Sequence, residues 1–438
     1  MDRSPAAFAA HRIIGMLGVT ALCVAPLLAS AADVPLTLPE AQRQAVERSQ
    51  LLVARYAAIA GAREMAIAAA QLPDPVAKMQ INNLPIDGED RFSLTRDFMT
   101  MRSIGVMQEF TRSDKRKARA ERFERDADKS NAESVLDTAT IQRDTALAWL
   151  DRYYAESMAA VVAEQRLAAV SEIEAAEGAY RASRGSLADI LAARSALVGF
   201  DDRASEFSRR ASAATINLAR WIGDGARAPL AGKPDIDTLR VDIQSLDADI
   251  RHHPQIALLD QREAIAAADV KIAQAAKQVD WSLEVMYSQR GSAYSNMISL
   301  ELSVPLQWDR PHRQEREVTA KLAMLDEVRA EREDMLRAYA AELRAMRVEW
   351  ENNRERRNRY QRELLPLAEE RTQAIVSAYR GAKASIADVL MARRGEIDVR
   401  TQTLQLEWDT ARLWAQLNFL TPDDGASRTN RTLSRSRQ

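Results

Sequence analysis

The side chains that could do chemistry in this sequence are few, and the clearest come as a matched pair. Asp189 lies three residues after Ser186, and Asp388 three residues after Ser385. Serine followed at that spacing by a carboxylate is the S-x-x-[DE] pattern of a helix capping box, in which each side chain accepts a hydrogen bond from the other residue's backbone N–H. The spacing therefore predicts two helix starts before it predicts any reactivity. His252 and His253 could ligate a metal, but no third ligand stands at helical spacing, and a helix end before Pro254 accounts for them. Met99, Met101 and Met107 offer thioethers of the kind that hold copper(I), although methionines flanking a hairpin more often serve packing. There is no Ser/His/Asp set, no glycine-rich phosphate loop and no metal-spaced acidic cluster. The expectation is a protein that is not an enzyme and carries no cofactor.

The elements that position the two aspartates repeat with them. Ala179–Arg194 reads AYRASRGSLADILAAR and Ala378–Arg393 reads AYRGAKASIADVLMAR, 199 residues later, with nine of sixteen positions identical. A period that long marks a duplicated half-protein, not a solenoid unit. Each copy reads as helix, short polar turn with one glycine, helix. A repeated helical corner with no function would look the same.

Arg3, His11 and Arg12 precede an apolar run from Ile13 to Leu28 and the small residues Ala29-Ser30-Ala31-Ala32, the layout of a secretory signal peptide over 1–32. The only cysteine, Cys23, falls inside it behind Thr20-Ala21-Leu22, which does not fit a lipidation signal. Taking away its two Arg and one Asp leaves 59 basic against 62 acidic side chains, with no basic stripe for nucleic acid. With only 15 glycines and 14 prolines in 438 residues, long helices are expected. Beyond the signal no apolar run approaches the ~20 residues of a transmembrane helix.

Two similar halves follow. The first, 33–224, opens with Thr37 as cap and Pro39 in the first turn of a helix running to about Gln71. A hairpin over about 76–110, with partly alternating strands, and a long helical hairpin over 113–222 complete it. A linker, 225–254, separates it from the second half, 255–422, with a hairpin over 281–306 and a helical hairpin over 312–420. A polar tail, 423–438, is expected to be disordered. In the second hairpin Trp281, Leu283, Val285 and Tyr287 alternate with Ser282, Glu284, Met286 and Ser288, and Ile298, Leu300, Leu302 and Val304 alternate with serine and glutamate. A half-buried hairpin of a soluble domain has this period; so does a membrane strand of nine to ten residues with interfacial aromatics, and the absence of an apolar helix in an exported chain favours the latter. Four strands cannot close a barrel, so membrane hairpins must combine across chains. Met335, Tyr339, Leu343, Met346 and Trp350 form a coiled-coil-like seam in the second long helix, which Pro366 should kink. Ile397, Leu404 and Ala411, and Trp408 and Ala415, repeat at seven in the return helix.

An export signal, two halves of helix, β-hairpin and very long helical hairpin, and the twice-repeated AYR…S-[LI]-A-D-[IV]-L tip together resemble the TolC family of outer membrane efflux proteins. The strand-to-helix passages Ile104–Arg116 and Leu300–His312 share in the likeness, and Phe92–Arg102 is most similar to the heavy-metal resistance branch (cobalt-zinc-cadmium or copper-silver). The resemblance implies a mainly α protein with a small β part: a homotrimer whose helical hairpins form an α-barrel across the periplasm, with four strands per chain in a shared 12-stranded barrel in the outer membrane. It implies passive conduction, with a periplasmic adaptor and an inner-membrane resistance-nodulation-division pump as partners and heavy-metal cations as cargo. Ducts for drugs or secreted proteins are the alternative within the family, and an exported coiled-coil structural protein the alternative outside it. By motif Asp189 and Asp388 fall at the periplasmic gate, with Arg181, Arg184, Arg194, Arg380 and Arg393 as candidates for bridging between turns. Ser183, Gly185, Ser186, Gly381, Ala382 and Ser385 would meet the adaptor. The family usually has glycine three residues after the tip tyrosine, where this sequence has Ser183 and Ala382; Gly185 and Gly381 are the residues that could take over.

Overall fold

The computed structural model describes residues 35–240 and 253–423; the signal peptide with Cys23, His252, part of the linker and all but the first residue of the tail lie outside them. Helix α1 (Leu38–Arg48) begins at Thr37, whose hydroxyl accepts from the Glu40 N–H at 3.3 Å. The helix expected to run on to Gln71 is broken at Ser49. That residue leaves helical geometry (ψ 109°) and caps a new helix, α2 (Gln50–Ala69), by accepting from the Leu52 N–H. A serine hydroxyl offers the backbone this local alternative, and helical periodicity does not reveal it.

Strands β1 (Val76–Asn82) and β2 (Met101–Phe110) lead into α3, Ser113–Arg181. Its 69 residues reach about 100 Å at ~1.5 Å per residue, and no proline or glycine interrupts it before Gly178. After the tip, α4 (Leu187–Ile222) returns alongside it. The second half repeats the plan with α5 (Pro254–Ala275), β3 (Trp281–Gln289), β4 (Met297–Ser303), α6 (Gln314–Arg359), α7 (Leu365–Arg380) and α8 (Ile386–Asn418). Between α6 and α7 a π-helical turn, Tyr360–Leu364, stands where Pro366 predicts a kink. Proline has no N–H and its ring collides with the carbonyl four residues back. The helix widens instead, so that the Leu365 N–H reaches the carbonyl of Tyr360.

The main core lies midway along the helices and gathers Trp149, Tyr154, Leu218, Leu343, Trp350, Ala411 and Trp414. Each tryptophan there removes roughly 200 Å² from water, worth about 5 kcal/mol of transfer free energy before entropy is counted. The N-terminal segment and the linker wrap this core. Leu36 and Leu230 form a parallel bridge, Trp149 Nε1 donates to the Leu36 carbonyl at 3.1 Å, and Trp414 Nε1 donates to Thr238 at 2.7 Å. Tyr339, Leu343, Met346 and Trp350 of the expected seam pack into the core, but Met335 is 42% exposed and does not belong to it.

Both hairpins join in one antiparallel sheet of order β1-β2-β3-β4. The register sets Met79, Ile104, Tyr287 and Ile298 side by side on one rung, and Ala77, Val106, Val285 and Leu300 on another.

Candidate functional site

The sheet is inverted relative to that of a water-soluble domain. Period-two alternation sends the rungs just named to one face, and that face is open to solvent; Leu300 is 72% exposed. Trp281, Val285, Tyr287, Ile298 and Leu302 are exposed beside it, Leu283 is half-buried, and Val304, just past the end of β4, is exposed. The opposite face is polar and is buried on the central strands β2 and β3, while Ser299, Glu301 and Ser303 on the edge strand β4 are exposed. Lys78 pairs with Glu284, the hydroxyls of Ser103 and Ser288 lie 2.8 Å apart, and Gln80 Nε2 sits 2.8 Å from Met286 Sδ, leaving Met286 7% exposed. The register places Gly105 on this inner face beside Lys78 and Met286, and a Cβ there would meet the Val285 carbonyl oxygen at 2.6 Å. Water would select the reverse arrangement; a hydrocarbon exterior selects this one. Among the described residues no helix is long and apolar enough to cross a membrane. The sequence shows the second hairpin's alternation plainly. That of the first is legible only once Lys78, Gln80 and Asn82 are assigned to the inside.

The second candidate lies at the far end of the helices. At each tip the expected capping box is complete: Asp189 accepts from the Ser186 N–H and hydroxyl at 2.8 Å each, and Asp388 from those of Ser385 at 2.9 and 2.7 Å. Ser186 and Ser385 accept in return from the aspartate N–H groups. The hydrogen bonds from the Ser385 hydroxyl and backbone hold the Asp388 carboxyl below the usual carboxylate range. The preceding helices end alike. The N–H groups of Ser183 and Ala382 reach back to Tyr180 and Tyr379, and those of Arg184 and Lys383 to Ala179 and Ala378, each last bond at 2.8 Å. This is a Schellman turn, whose pivot must be left-handed. Ser183 (φ 55°) and Ala382 (φ 57°) occupy the pivots. Gly185 and Gly381 therefore do not take over from the family's glycine; the turn keeps its shape with a serine and an alanine in the strained position.

The two tips pack together through Ala176, Ile190, Ile386 and Val389. Of the candidate bridging arginines, Arg393 joins the two hairpins, with Nε 3.0 Å from Glu172 on α3. Burial pushes Glu172 up and Arg393 pulls it back down. Arg194 pairs with Glu177 inside its own hairpin at 2.9 Å. Arg181, Arg184 and Arg380 are exposed, as are Ser183, Ser186, Gly381, Ala382 and Ser385, and these three arginines close no ion pair among the described residues; Gly185 is half-buried.

Of the candidate metal ligands, His252 lies outside the described residues. His253 is buried and caps α5, its Nδ1 accepting from Gln255 at 3.2 Å while its Nε2 lies 2.8 Å from the Tyr339 hydroxyl. Burial pushes it down to about 4. Met101 and Met107 are six residues apart on one strand, about 20 Å, too far to share an ion. No group of three or more His, Cys, Asp or Glu among the described residues could hold a metal.

No family model matches the sequence. No curated protein matches it either. Solved structures do. The outer-membrane channel OprN superposes with a TM-score of 0.74 at 16% identity, over 88% of this chain and 90% of that one. The outer membrane protein VceC of Vibrio cholerae gives 0.71 at 19%, over 87% and 95%, and CusC, a transmembrane channel former, 0.72 at 14%, over 89% and 93%. The chain thus has, along nearly its whole length, the fold of outer membrane channels.

Proposed function

We propose that this chain is the outer membrane exit duct of a tripartite efflux system, working as a homotrimer that completes a 12-stranded barrel and a helical barrel. The carrying observation is the sheet with its apolar face bare and its polar face buried on the two central strands, ending in two unpaired edges, β1 and β4. Open strand edges are not tolerated in hydrocarbon, so a membrane sheet of four strands needs partners. The shared fold with outer membrane channels supports the same reading. Conduction is passive: the chain supplies a lined path, and an inner-membrane resistance-nodulation-division pump with a periplasmic adaptor supplies energy and cargo. The exposed tips, Ser183 to Ser186 and Gly381 to Ser385, are the surfaces that would meet the adaptor. Asp189 and Asp388 would ring the periplasmic gate, and Arg393, already bridging the hairpins through Glu172, would help to hold it shut together with the unpaired Arg181, Arg184 and Arg380. Cell fractionation tests the core of this. The chain should sediment with the outer membrane and run as a trimer in mild detergent; a monomer in the soluble periplasmic fraction would instead identify an exported coiled-coil structural protein.

The cargo we propose is heavy-metal cations, a reading that rests on the Phe92–Arg102 stretch. Deleting the gene should raise sensitivity to cobalt, zinc, cadmium, copper or silver; sensitivity to drugs alone would replace this cargo with the drug reading and leave the duct standing.

A further inference from the structure

All four strand-to-helix junctions lie at one end of the sheet. The register puts the start of β1, the end of β2, the start of β3 and the end of β4 together, with Phe110 opposite Trp281 and Ser282 opposite Ser303. At that end aromatic rings mark a boundary: Phe110 and Trp281 stack at 4.1 Å, and Trp308 is 88% exposed. Indole and phenyl rings at the edge of an apolar belt sit where hydrocarbon gives way to headgroups. The residues next in the chain are basic. The junction stretches 70–75, 111–119, 276–280 and 304–316 hold nine Lys and Arg against five Asp and Glu, whereas the loops at the other end, 83–100 and 290–296, hold three against four. The surplus therefore belongs to one side of the sheet.

Four of the five acids within these junctions already have partners, Asp74 being the exception. Asp280 takes Lys115 at 2.7 Å, Glu315 takes Lys277, Asp309 takes His312 and Asp114 takes Arg112. Lys117, Arg119, Arg310, Arg313 and Arg316 are exposed and close no ion pair among the described residues. Arg119 and Arg316 are the seventh and third residues of their helices, so the group lies within about 10 Å of the helix starts. A headgroup layer is roughly 5–8 Å deep on each side of the hydrocarbon.

We propose that these junctions form a collar for anionic phospholipid, with the five free cations taking headgroup phosphates in the leaflet that borders the helices and Trp308 set among the upper acyl carbons. The inference rests on the membrane reading above. Its function is to fix the depth of the sheet and to select an anionic lipid shell, since each basic side chain near an anionic surface favours it by about fivefold at low salt.

The full chain, refolded in detergent, would be reconstituted into phosphatidylcholine vesicles with and without phosphatidylglycerol, either lipid carrying bromine on its acyl chain. Subtracting the quenching of Trp308→Phe isolates the Trp308 signal. Brominated phosphatidylglycerol should quench it several-fold more than brominated phosphatidylcholine at equal mole fraction. That preference should fall about tenfold or to nothing in Arg310→Gln/Arg313→Gln/Arg316→Gln, and in about 1 M salt, where the screening length is ~3 Å. Arg337→Gln, ~35 Å along α6 from its start, should keep it. Equal quenching by both lipids, or a triple variant that quenches like the parent, overturns the collar. Loss of preference on adding inorganic phosphate, but not chloride at matched ionic strength, also overturns it, by revealing a site for small anions. Entry into neutral vesicles without lipid preference sinks the collar alone; failure to enter any vesicle sinks the membrane reading with it.

Discussion

At the scale of single residues, the tip aspartate has one observed role, as a cap, and one proposed role, at the gate. Asp388 is an ordered acceptor for Ser385, and on the proposed gate it is also one of three carboxylates about an axis. The roles separate experimentally. Asp388→Ala should weaken cation selectivity and block by multivalent cations in planar bilayers while trimers still form. Asp388→Asn, which keeps an acceptor for the cap, should lose selectivity equally; selectivity preserved in Asn but lost in Ala would reduce the aspartate to a cap. A second residue-scale test concerns the pivot. Ala382 pays the left-handed penalty of about 1–2 kcal/mol that glycine escapes. Ala382→Gly should therefore be neutral or stabilising by up to about 1 kcal/mol in urea unfolding, after the entropy that glycine adds to the unfolded chain. Gly381, at φ −83°, has room for a Cβ, so Gly381→Ala should not destabilise. A loss of more than about 1 kcal/mol in Gly381→Ala would restore the glycine reading.

At the scale of elements, the strands carry the sharpest contrast. Leu300 and Ser299 are neighbours on β4 with opposite faces. Leu300→Arg should cost about 2–4 kcal/mol if it lies near the bilayer midplane and should deplete the assembled trimer. Ser299→Arg should be tolerated, and equal tolerance at both positions would remove the membrane assignment. The elements were also the most legible part of the molecule. Trp281–Ser288 and Ile298–Val304 alternate strictly on either side of a loop, the capping boxes name both helix starts, and the absence of Pro and Gly from Ser113 to Glu177 announces α3. What escaped was decided by local backbone competition or by distant partners. Ser49 breaks a helix that apolar spacing carries straight through, and the π turn at Tyr360 is a response to Pro366 that no periodicity specifies. The left-handed Ser183 and Ala382 are invisible for a further reason: the turn is held by backbone bonds that do not depend on residue type.

At the scale of the whole molecule, the two halves meet through polar contacts as well as through the sheet, with Trp408 Nε1 of the second half donating to Asp151 of the first at 2.8 Å. His253, at the end of the linker, is bonded to Tyr339 on α6 and kept neutral by burial. Its folded value of about 4 lies below the ordinary 6.5, so between those values the unfolded chain binds more protons than the folded one. Stability should accordingly be level above about pH 6.5 and fall as pH drops towards 4, by on the order of 2–3 kcal/mol from this group. His253→Gln should flatten that acid limb in urea midpoints measured across the window. An unchanged slope would mean that His253 is not the buried neutral base described here.

The ladder between β2 and β3 also sets a timetable. It matches Phe110 with Trp281, and the whole of α3 and α4 comes between them. A chain made from its N-terminus releases the first hairpin long before the strand it must lie against exists. A lone two-stranded hairpin is marginal in water, while helices close their own contacts within a few residues and quickly. The first helical hairpin thus forms before the four-stranded sheet can, and the full apolar face is assembled only after residue 303, when about seven-tenths of the chain has emerged.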